Sequence, residues 1–468
     1  RRQGGSRRGA HTMANTEDPG GKRQPDLSGA ADALPGRRMP RVVREFLETE
    51  AAGGIVLLVA AVVAVVWANS PWSASYRTLW HTSLDLRAGR FGLEMDLQHW
   101  VNDGLMVLFF FVVGLEIKRE LVAGDLHEPR VAAVPALAAA GGMIVPALLF
   151  LAITATGGGT RGWGIPMATD IAFALGVVTV LGSRVPRSLK LFLLTLAIVD
   201  DIGAILVIAV FYAGDIQLAW LATAVLLVGG IVVLRRVGVV WLPPYVVVGL
   251  LVWLATHASG VHATIAGVVL GLLAPARPLT PAAVARHWAA DLADDPGPGE
   301  LSAMTRLAKT SVSPAERLQY LLHPWTSFGV VPIFALANAG VSIKASSFDA
   351  PGVVGVITGV VVGLVVGKVA GITTATWLAV RSGLGRLPPG ATWPTLGGVA
   401  ALGGIGFTVS LFIAELAYEP GAVQDGAKIG VLAGSVMAAL VGTLVLLRAR
   451  QKPDGEDPQN PQGEGPAG

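Results

Sequence analysis

Two adjacent aspartates, Asp200 and Asp201, lie near the middle of an apolar stretch that has no basic residue between Lys190 and Arg235. An ionisable side chain inside a membrane span costs about 2.5–3.5 kcal/mol on insertion scales, so a carboxylate there usually has a function. Two like charges at low dielectric constant resist ionising together, and we expect the pair to titrate as a coupled unit. Such a unit could exchange a proton for a small cation. The alternative is a pair neutralised by salt bridges for packing alone.

A third carboxylate and a hydroxyl, Asp170 and Thr169, follow a segment that contains Gly162, Gly164 and Pro166. Glycine and proline at membrane depth free backbone carbonyls. Hard cations prefer oxygen ligands from carboxylates, hydroxyls and carbonyls. Both residues are therefore predicted to join the aspartate pair in a cation and proton site. Asp170 could instead serve only as the N-cap of a helix.

Lys368 lies within the apolar segment 353–379. A buried lysine needs a counter-charge or must lose its proton. We predict that an aspartate of the pair is its partner. The alternative is a lysine whose amine reaches the membrane interface, which the length of the span on both sides makes awkward.

The composition indicates which elements must position these groups. The chain has 468 residues, 53% hydrophobic and 14% charged, whereas soluble domains carry about 25% charged residues. This predicts an all-α polytopic membrane protein with about twelve transmembrane helices, each crossing about 30 Å of hydrocarbon. The predicted spans are residues 46–69, 100–116, 130–154, 162–182, 189–212, 217–234, 238–257, 261–276, 326–343, 353–379, 393–417 and 427–447.

The fourth and eleventh segments contain glycine-rich breaks. Interrupted helices in the two halves of a chain are typical of inverted-repeat transporters, although glycine-rich spans also arise from close helix packing. Lysine and arginine concentrate in alternate loops, which predicts a multi-pass protein with both termini in the cytoplasm. Residues 1–40 and 449–468 have no apolar run and are predicted to be disordered cytoplasmic tails around a transmembrane domain of residues 41–448, with Met13 as a candidate start.

Several function classes have no support. The net charge is only +3 and the basic residues lie between apolar runs, so no nucleic-acid partner is expected. The chain has no cysteine, which excludes thiol catalysis and disulfides. It has no Walker-type loop for ATP, and no cofactor is expected. Asp103, Glu116 and Glu415 lie near segment ends, where each could simply reach the interface, and His262 could titrate near neutrality or be a satisfied interface residue.

Six motifs resemble the NhaA-type sodium/proton antiporter family, and they occur in the order typical of it. The resemblance extends from about residue 41 to residue 450. It rests on residues 109–120 (Phe-Phe-Phe-Val-Val-Gly-Leu-Glu-Ile-Lys-Arg-Glu), 168–176 (Ala-Thr-Asp-Ile-Ala-Phe-Ala-Leu-Gly), 197–204 (Ala-Ile-Val-Asp-Asp-Ile-Gly-Ala), 259–264, 334–340 and 404–408.

The resemblance implies a bacterial inner-membrane antiporter that exchanges cytoplasmic Na⁺ or Li⁺ for external H⁺ electrogenically, for sodium and pH homeostasis. It implies twelve spans, with segments four and eleven crossing near the middle of the membrane. Asp201 is then the principal cation and proton site, Asp200 pairs with Lys368, and Thr169 and Asp170 line the crossing region. A homodimer is also implied, with a β-hairpin in residues 77–96 at the contact.

The sequence departs from the family where a well-studied member carries a glutamate linked to pH activation. Gln319 stands at that position, and Tyr320 stands where that member has a histidine. Together with the titratable residues Glu116 and His262, Gln319 is a candidate for a role in the pH response. Two other classes stay open at this point. An intramembrane aspartyl protease needs carboxylates from separate helices, and a sodium-coupled symporter needs contacts for an organic solute.

Overall fold

The computed structural model describes residues 50–88, 91–239, 241–278, 302–303, 311–344 and 348–449. The predicted tails, residues 1–40 and 449–468, lie outside the described residues apart from residue 449. Most of the long loop between the eighth and ninth predicted segments also lies outside them.

The described part of the N-terminal half is helical with one β-hairpin. A short turn (Leu97–His99) and a π-helical turn (Trp100–Leu105) precede α3, and a 3₁₀ stretch (Thr160–Met167) precedes α5. The elements are α1 (Glu50–Ala68), α2 (Ser73–Trp80), β1 (Ser83–Ala88), β2 (Phe91–Asp96), α3 (Met106–Ala123), α4 (Pro129–Thr154), α5 (Ile171–Leu181), α6 (Arg187–Phe211), α7 (Leu218–Arg236), α8 (Leu242–Ala258) and α9 (Thr264–Leu273).

The described part of the C-terminal half consists of helices and the loops that connect them, with no strand. π-helical turns join α10 to α11 (Thr326–Val330) and α12 to α13 (Gly363–Gly367). The elements are α10 (Pro314–Trp325), α11 (Val331–Asn338), α12 (Val353–Val362), α13 (Lys368–Arg381), α14 (Trp393–Leu402), α15 (Phe407–Ala417) and α16 (Ala422–Arg448).

The helices have the length and surface of membrane spans. Among the described residues, seven helical stretches are long and apolar enough to cross a membrane, and two bent pairs bring the number to nine if each pair is one span. The aliphatic side chains Val225, Leu226 and Val233 of α7 are exposed. Such a surface suits lipid rather than water. The prediction of an all-α membrane protein is confirmed.

The hairpin lies between α2 and α3, in the loop for which the resemblance implies it. Its two strands pair antiparallel, with Leu84 opposite Met95 and Ser83 opposite Asp96. The hairpin itself is confirmed, and its place in a dimer contact stays a prediction.

Two predicted boundaries are wrong because apolar runs do not reveal a polar first turn. The ninth segment, predicted at 326–343, is helical from Pro314, where Ser313 and Glu316 form a capping box, to Asn338. The twelfth, predicted at 427–447, begins at Ala422. Lys428 therefore lies two turns into α16 and is 6% exposed.

Small residues bring two helices of different halves close together. A Cβ atom on Gly371 of α13 would lie 2.1 Å from the carbonyl oxygen of Gly141 on α4, and a Cβ on Gly141 would lie 2.4 Å from the carbonyl oxygen of Gly371. Only glycine fits such an approach. Lys368 begins α13 one turn before this contact, so the glycine pair helps to fix its position.

Candidate cation and proton site

The aspartate pair lies on α6, within an apolar helix that has no other charged residue near its middle. Asp200 is fully buried and Asp201 is 5% exposed. Adjacent helical residues project about 100° apart, so the two carboxylates face different neighbours. That difference decides what each of them contacts.

Asp200 faces Lys368, the first residue after the π-helical turn that ends α12. The Nζ atom of Lys368 lies 2.5 Å from Oδ2 of Asp200 and 3.0 Å from Oγ1 of Thr169. Lys368 is fully buried, so the alternative of an amine at the membrane interface is wrong. The prediction that Lys368 has an aspartate of the pair as its partner is confirmed, and this aspartate is Asp200.

Thr169 connects this ion pair to the second broken helix. Its Oγ1 lies 2.8 Å from Oδ2 of Asp200 and 2.7 Å from the carbonyl oxygen of Gly403. A hydroxyl has one proton and two lone pairs, so Thr169 accepts from Lys368 and donates to one of these two oxygens. It is fully buried at the non-helical residues between the 3₁₀ stretch and α5.

Asp170 joins the two helix breaks directly. Its backbone N–H donates to the carbonyl oxygen of Ile405 at 2.6 Å. One carboxylate oxygen accepts from the N–H of Phe173 and so caps α5, as the N-cap alternative expects. The other accepts from both the N–H and the hydroxyl of Thr408, at 3.1 and 2.7 Å. The positive ends of α5 and α15 therefore both face this carboxylate, which offsets its charge.

Unlike its neighbour, Asp201 has no counter-charge at hydrogen-bond distance within the part of the chain that the structure describes. Its Oδ1 atom, like Oδ1 of Asp200, is buried without a hydrogen-bond partner among the described residues. Buried polar atoms are nearly always satisfied, and exceptions concentrate at functional sites. Two unsatisfied carboxylate oxygens on adjacent residues are a suitable place for a proton or a small hard cation. Both residues predicted to hold Na⁺, Asp200 and Asp201, have such an oxygen.

The three candidates for a pH response lie on other elements. Glu116 is half-buried on α3, and Gln319 is half-buried on α10. His262 lies before α9, with its Nε2 atom 2.5 Å from the carbonyl oxygen of Tyr212 at the end of α6. Among the described residues, the hydrogen bonds of Asp170 and Asp200 involve neither His262 nor Gln319.

Two groups escaped the sequence reasoning. Thr408 belongs to the motif at residues 404–408, for which no contact was predicted, although a hydroxyl directly after a helix break mirrors Thr169. Glu415 was expected to reach the interface, but its side chain is 11% exposed and forms an ion pair with Lys428. The signal available for the second group was a lysine near the start of the following apolar segment.

Most of the chain is similar in sequence to known sodium/proton antiporters. Residues 44–446 match the family described as Na+/H+ antiporter 1. The chain is 49% identical over 414 residues to the Na(+)/H(+) antiporter NhaA 3 of Frankia alni, which covers 87% of this chain and 89% of that protein. It is 47% identical over 426 residues to the Na(+)/H(+) antiporter NhaA of Rhodopirellula baltica, covering 89% and 96%. It is 44% identical over 445 residues to the Na(+)/H(+) antiporter NhaA 2 of Myxococcus xanthus, covering 92% and 94%.

Proposed function

Because the chain belongs to the Na+/H+ antiporter 1 family, we propose that it is a secondary active transporter, not an enzyme, and that it exchanges Na⁺ for H⁺ across a membrane. Relatives at 44–49% identity that are named for this exchange support the proposal. The observation that carries it is the buried centre, in which Asp200 is held by Lys368 while Asp201 has an unsatisfied oxygen.

The exchange follows from competition for one centre. Asp201 binds either a proton or Na⁺, with carbonyl and hydroxyl oxygens around the breaks as further ligands. Lys368 compensates the charge of Asp200, so the adjacent carboxylates need not both be protonated when Na⁺ is absent. An electrogenic exchange needs two protons for each Na⁺: Asp201 binds one of them, and the second is bound within the Asp200–Lys368 pair. Only a loaded centre permits the change between inward and outward openings.

The finer architecture belongs to the same proposal. The twelve spans comprise the seven long apolar helices, the two bent pairs, the shorter helices α8 and α9, and α3, with both termini on the cytoplasmic side of the inner membrane. The two breaks cross near the middle of the membrane, and the hydrogen bond from Asp170 to Ile405 supports that crossing. The hairpin β1–β2 forms the contact of a homodimer, for which its exposed Leu84 is suited.

A vesicle assay tests the activity. Everted vesicles that contain the chain are energised to an acidic interior, and the pH gradient is followed as NaCl, LiCl or choline chloride is added. We expect Na⁺ or Li⁺ to dissipate the gradient, no response to choline, and no response in vesicles without the chain. Dissipation by neither Na⁺ nor Li⁺ would overturn the proposal, and a requirement for an added organic solute would indicate a symporter instead.

A further inference from the structure

A second buried polar cluster lies at the far end of α15 from the aspartate centre. Glu415 is its hub, since one carboxylate oxygen accepts from Nε2 of Gln98 at 3.1 Å and the other accepts from Nε2 of Gln424 at 2.9 Å. Lys428 forms an ion pair with the same carboxylate. We call this group the Glu415 cluster; its members are Gln98, Asn102, Asn338, Glu415, Gln424 and Lys428.

The cluster has two arms. In the first arm, Asn338 at the end of α11 donates to Oδ1 of Asn102 at 2.8 Å and accepts from Gln98 at 3.0 Å. In the second arm, Gln424 and Lys428 of α16 hold Glu415 of α15. The amide group of Gln98 has two protons, and it gives one to each arm. Gln98 is therefore the residue at which the two arms meet.

The second arm is mechanically connected to the transport centre. Near the start of α15, Thr408 binds Asp170, and Glu415 lies seven residues later, near the end of the same helix. Seven residues are about two helical turns, so both side chains lie on one face of the helix, about 10 Å apart along its axis. Between them, Phe412 packs against Phe110 of α3 and Phe334 of α11, with ring centroids 5.4 and 6.2 Å apart. Separation of α15 from α3 and α11 would require the Gln98–Glu415 bond to break.

We propose that the Gln98–Glu415 hydrogen bond is a latch that keeps the path from the aspartate centre to the hairpin side of the molecule closed. Lys428 forms its ion pair with the same carboxylate oxygen that accepts from Gln98 and holds it in place for this bond, whereas Gln424 binds the other oxygen. The inference rests on the alternating access proposed above, and Gln98 follows the end of β2 by two residues, which places the latch on the hairpin side. A hydrogen bond to a charged acceptor is strong enough for its loss to shift the equilibrium between closed and open states about ten-fold.

Cysteine labelling tests the latch without measuring transport. The chain has no cysteine, so Leu411→Cys provides a unique thiol. Leu411 is fully buried and lies one turn before Glu415 on α15. In proteoliposomes, a membrane-impermeant maleimide is added on the hairpin side. We expect Gln98→Leu to raise the labelling rate about ten-fold over the parent with Leu411→Cys alone.

Gln424→Leu is the matched control. This variant also removes a hydrogen bond to Glu415, but one that comes from α16 within the second arm. The Gln98–Glu415 bond and the Lys428 ion pair remain, so labelling should change far less. An equal increase in both variants would show general loosening and would overturn the latch, as would unchanged labelling in Gln98→Leu.

A second measurement covers a variant that folds poorly. In oriented proteoliposomes, Gln98→Leu should lower the apparent KM for Na⁺ on the hairpin side and raise it on the opposite side. The reason is that a shift toward the state that is open on the hairpin side has opposite effects on Na⁺ access from the two faces. A KM change of the same sign on both faces contradicts the latch. A chain that labels as expected yet fails to exchange Na⁺ for H⁺ retains the latch and contradicts the proposed function instead.

Discussion

The Nζ atom of Lys368 lies 2.5 Å from Oδ2 of Asp200, and neither side chain is exposed. The two residues come from different halves of the chain, 168 positions apart. The pair gives the adjacent aspartates different tasks, because Asp200 has a counter-charge at contact distance, whereas none of the described residues supplies one to Asp201. A buried pair of this kind fixes geometry more than it adds stability.

Removal of the lysine should be costly. Lys368→Met leaves Asp200 as an uncompensated buried charge, and we expect a loss of about 3–5 kcal/mol of stability. The double variant Lys368→Met, Asp200→Asn should recover part of it, because both charges are then gone. Thermal unfolding of the purified proteins in detergent at neutral pH measures both effects. A double variant as unstable as the single one would contradict the pairing.

The hydroxyl of Thr169 should matter more than its methyl group. Thr169→Val leaves the carbonyl of Gly403 and the Lys368–Asp200 pair without their shared partner, and a buried group left unsatisfied costs about 1–3 kcal/mol. We expect the apparent KM for Na⁺ to rise about ten-fold or more, measured by the vesicle assay. Thr169→Ser preserves the hydroxyl and should stay close to wild type; a serine variant as impaired as the valine variant would exclude the hydroxyl as the cause.

The close approach of α4 and α13 predicts a position-specific effect of alanine. Gly371→Ala would place a Cβ atom 2.1 Å from the backbone oxygen of Gly141, and such overpacking costs about 1–3 kcal/mol. Gly229→Ala on α7 is the control, since no atom lies within 4 Å of its added Cβ. Thermal unfolding should show a loss for the first variant and no loss for the second. Equal effects would show that the contact does not determine the outcome.

Much of the site could be predicted from the sequence. A charged side chain inside an apolar segment is costly to bury, and it can be recognised without knowing its partners. Asp200, Asp201 and Lys368 stood out for that reason. That Lys368 contacts Asp200 rather than Asp201 was implied only by the family resemblance and not by the cost of burial, because that choice depends on helix packing between distant segments. Thr408 was missed for the same reason, since it meets Asp170 across 238 positions.

The fold shows a similar division. Apolar runs located the long apolar helices that the structure describes, because lipid-facing surface requires them, but the short helix α2 lies outside every predicted span. Helix starts rich in polar residues, at Pro314 and Ala422, were placed too late. Glu415 was assigned to the interface because its partners Gln98, Gln424 and Lys428 come from two other segments, and hydropathy alone carries no information on which polar groups meet.

The hairpin junction should depend on pH through Asp96. The N–H of His99 donates to its carboxylate at 2.9 Å, and the rings of His99 and His81 lie 2.7 and 3.2 Å away. Partial burial raises the pKa of Asp96, but the hydrogen bonds from His99 and His81 outweigh it and bring the pKa below its ordinary value. A lowered pKa in the folded state means that the stabilisation is present above about pH 4 and is lost as the pH falls through the folded value.

Asp96→Asn should therefore lower the melting temperature at neutral pH, and its difference from wild type should shrink as the pH is lowered below about 4. Thermal unfolding across this range provides the comparison. A difference that is the same at neutral and acidic pH would show that the carboxylate charge does not stabilise the junction.

The role of Asp201 is tested most directly by Na⁺-dependent dissipation of the pH gradient in everted vesicles that contain Asp201→Asn. Asparagine preserves the shape of the side chain but cannot exchange a proton for a cation, so we expect the dissipation to be lost while the protein inserts at normal levels. Asp215→Asn, at an exposed aspartate in the loop after α6, should retain wild-type exchange. Unchanged exchange in Asp201→Asn would contradict the assignment of Asp201 as the cation and proton site.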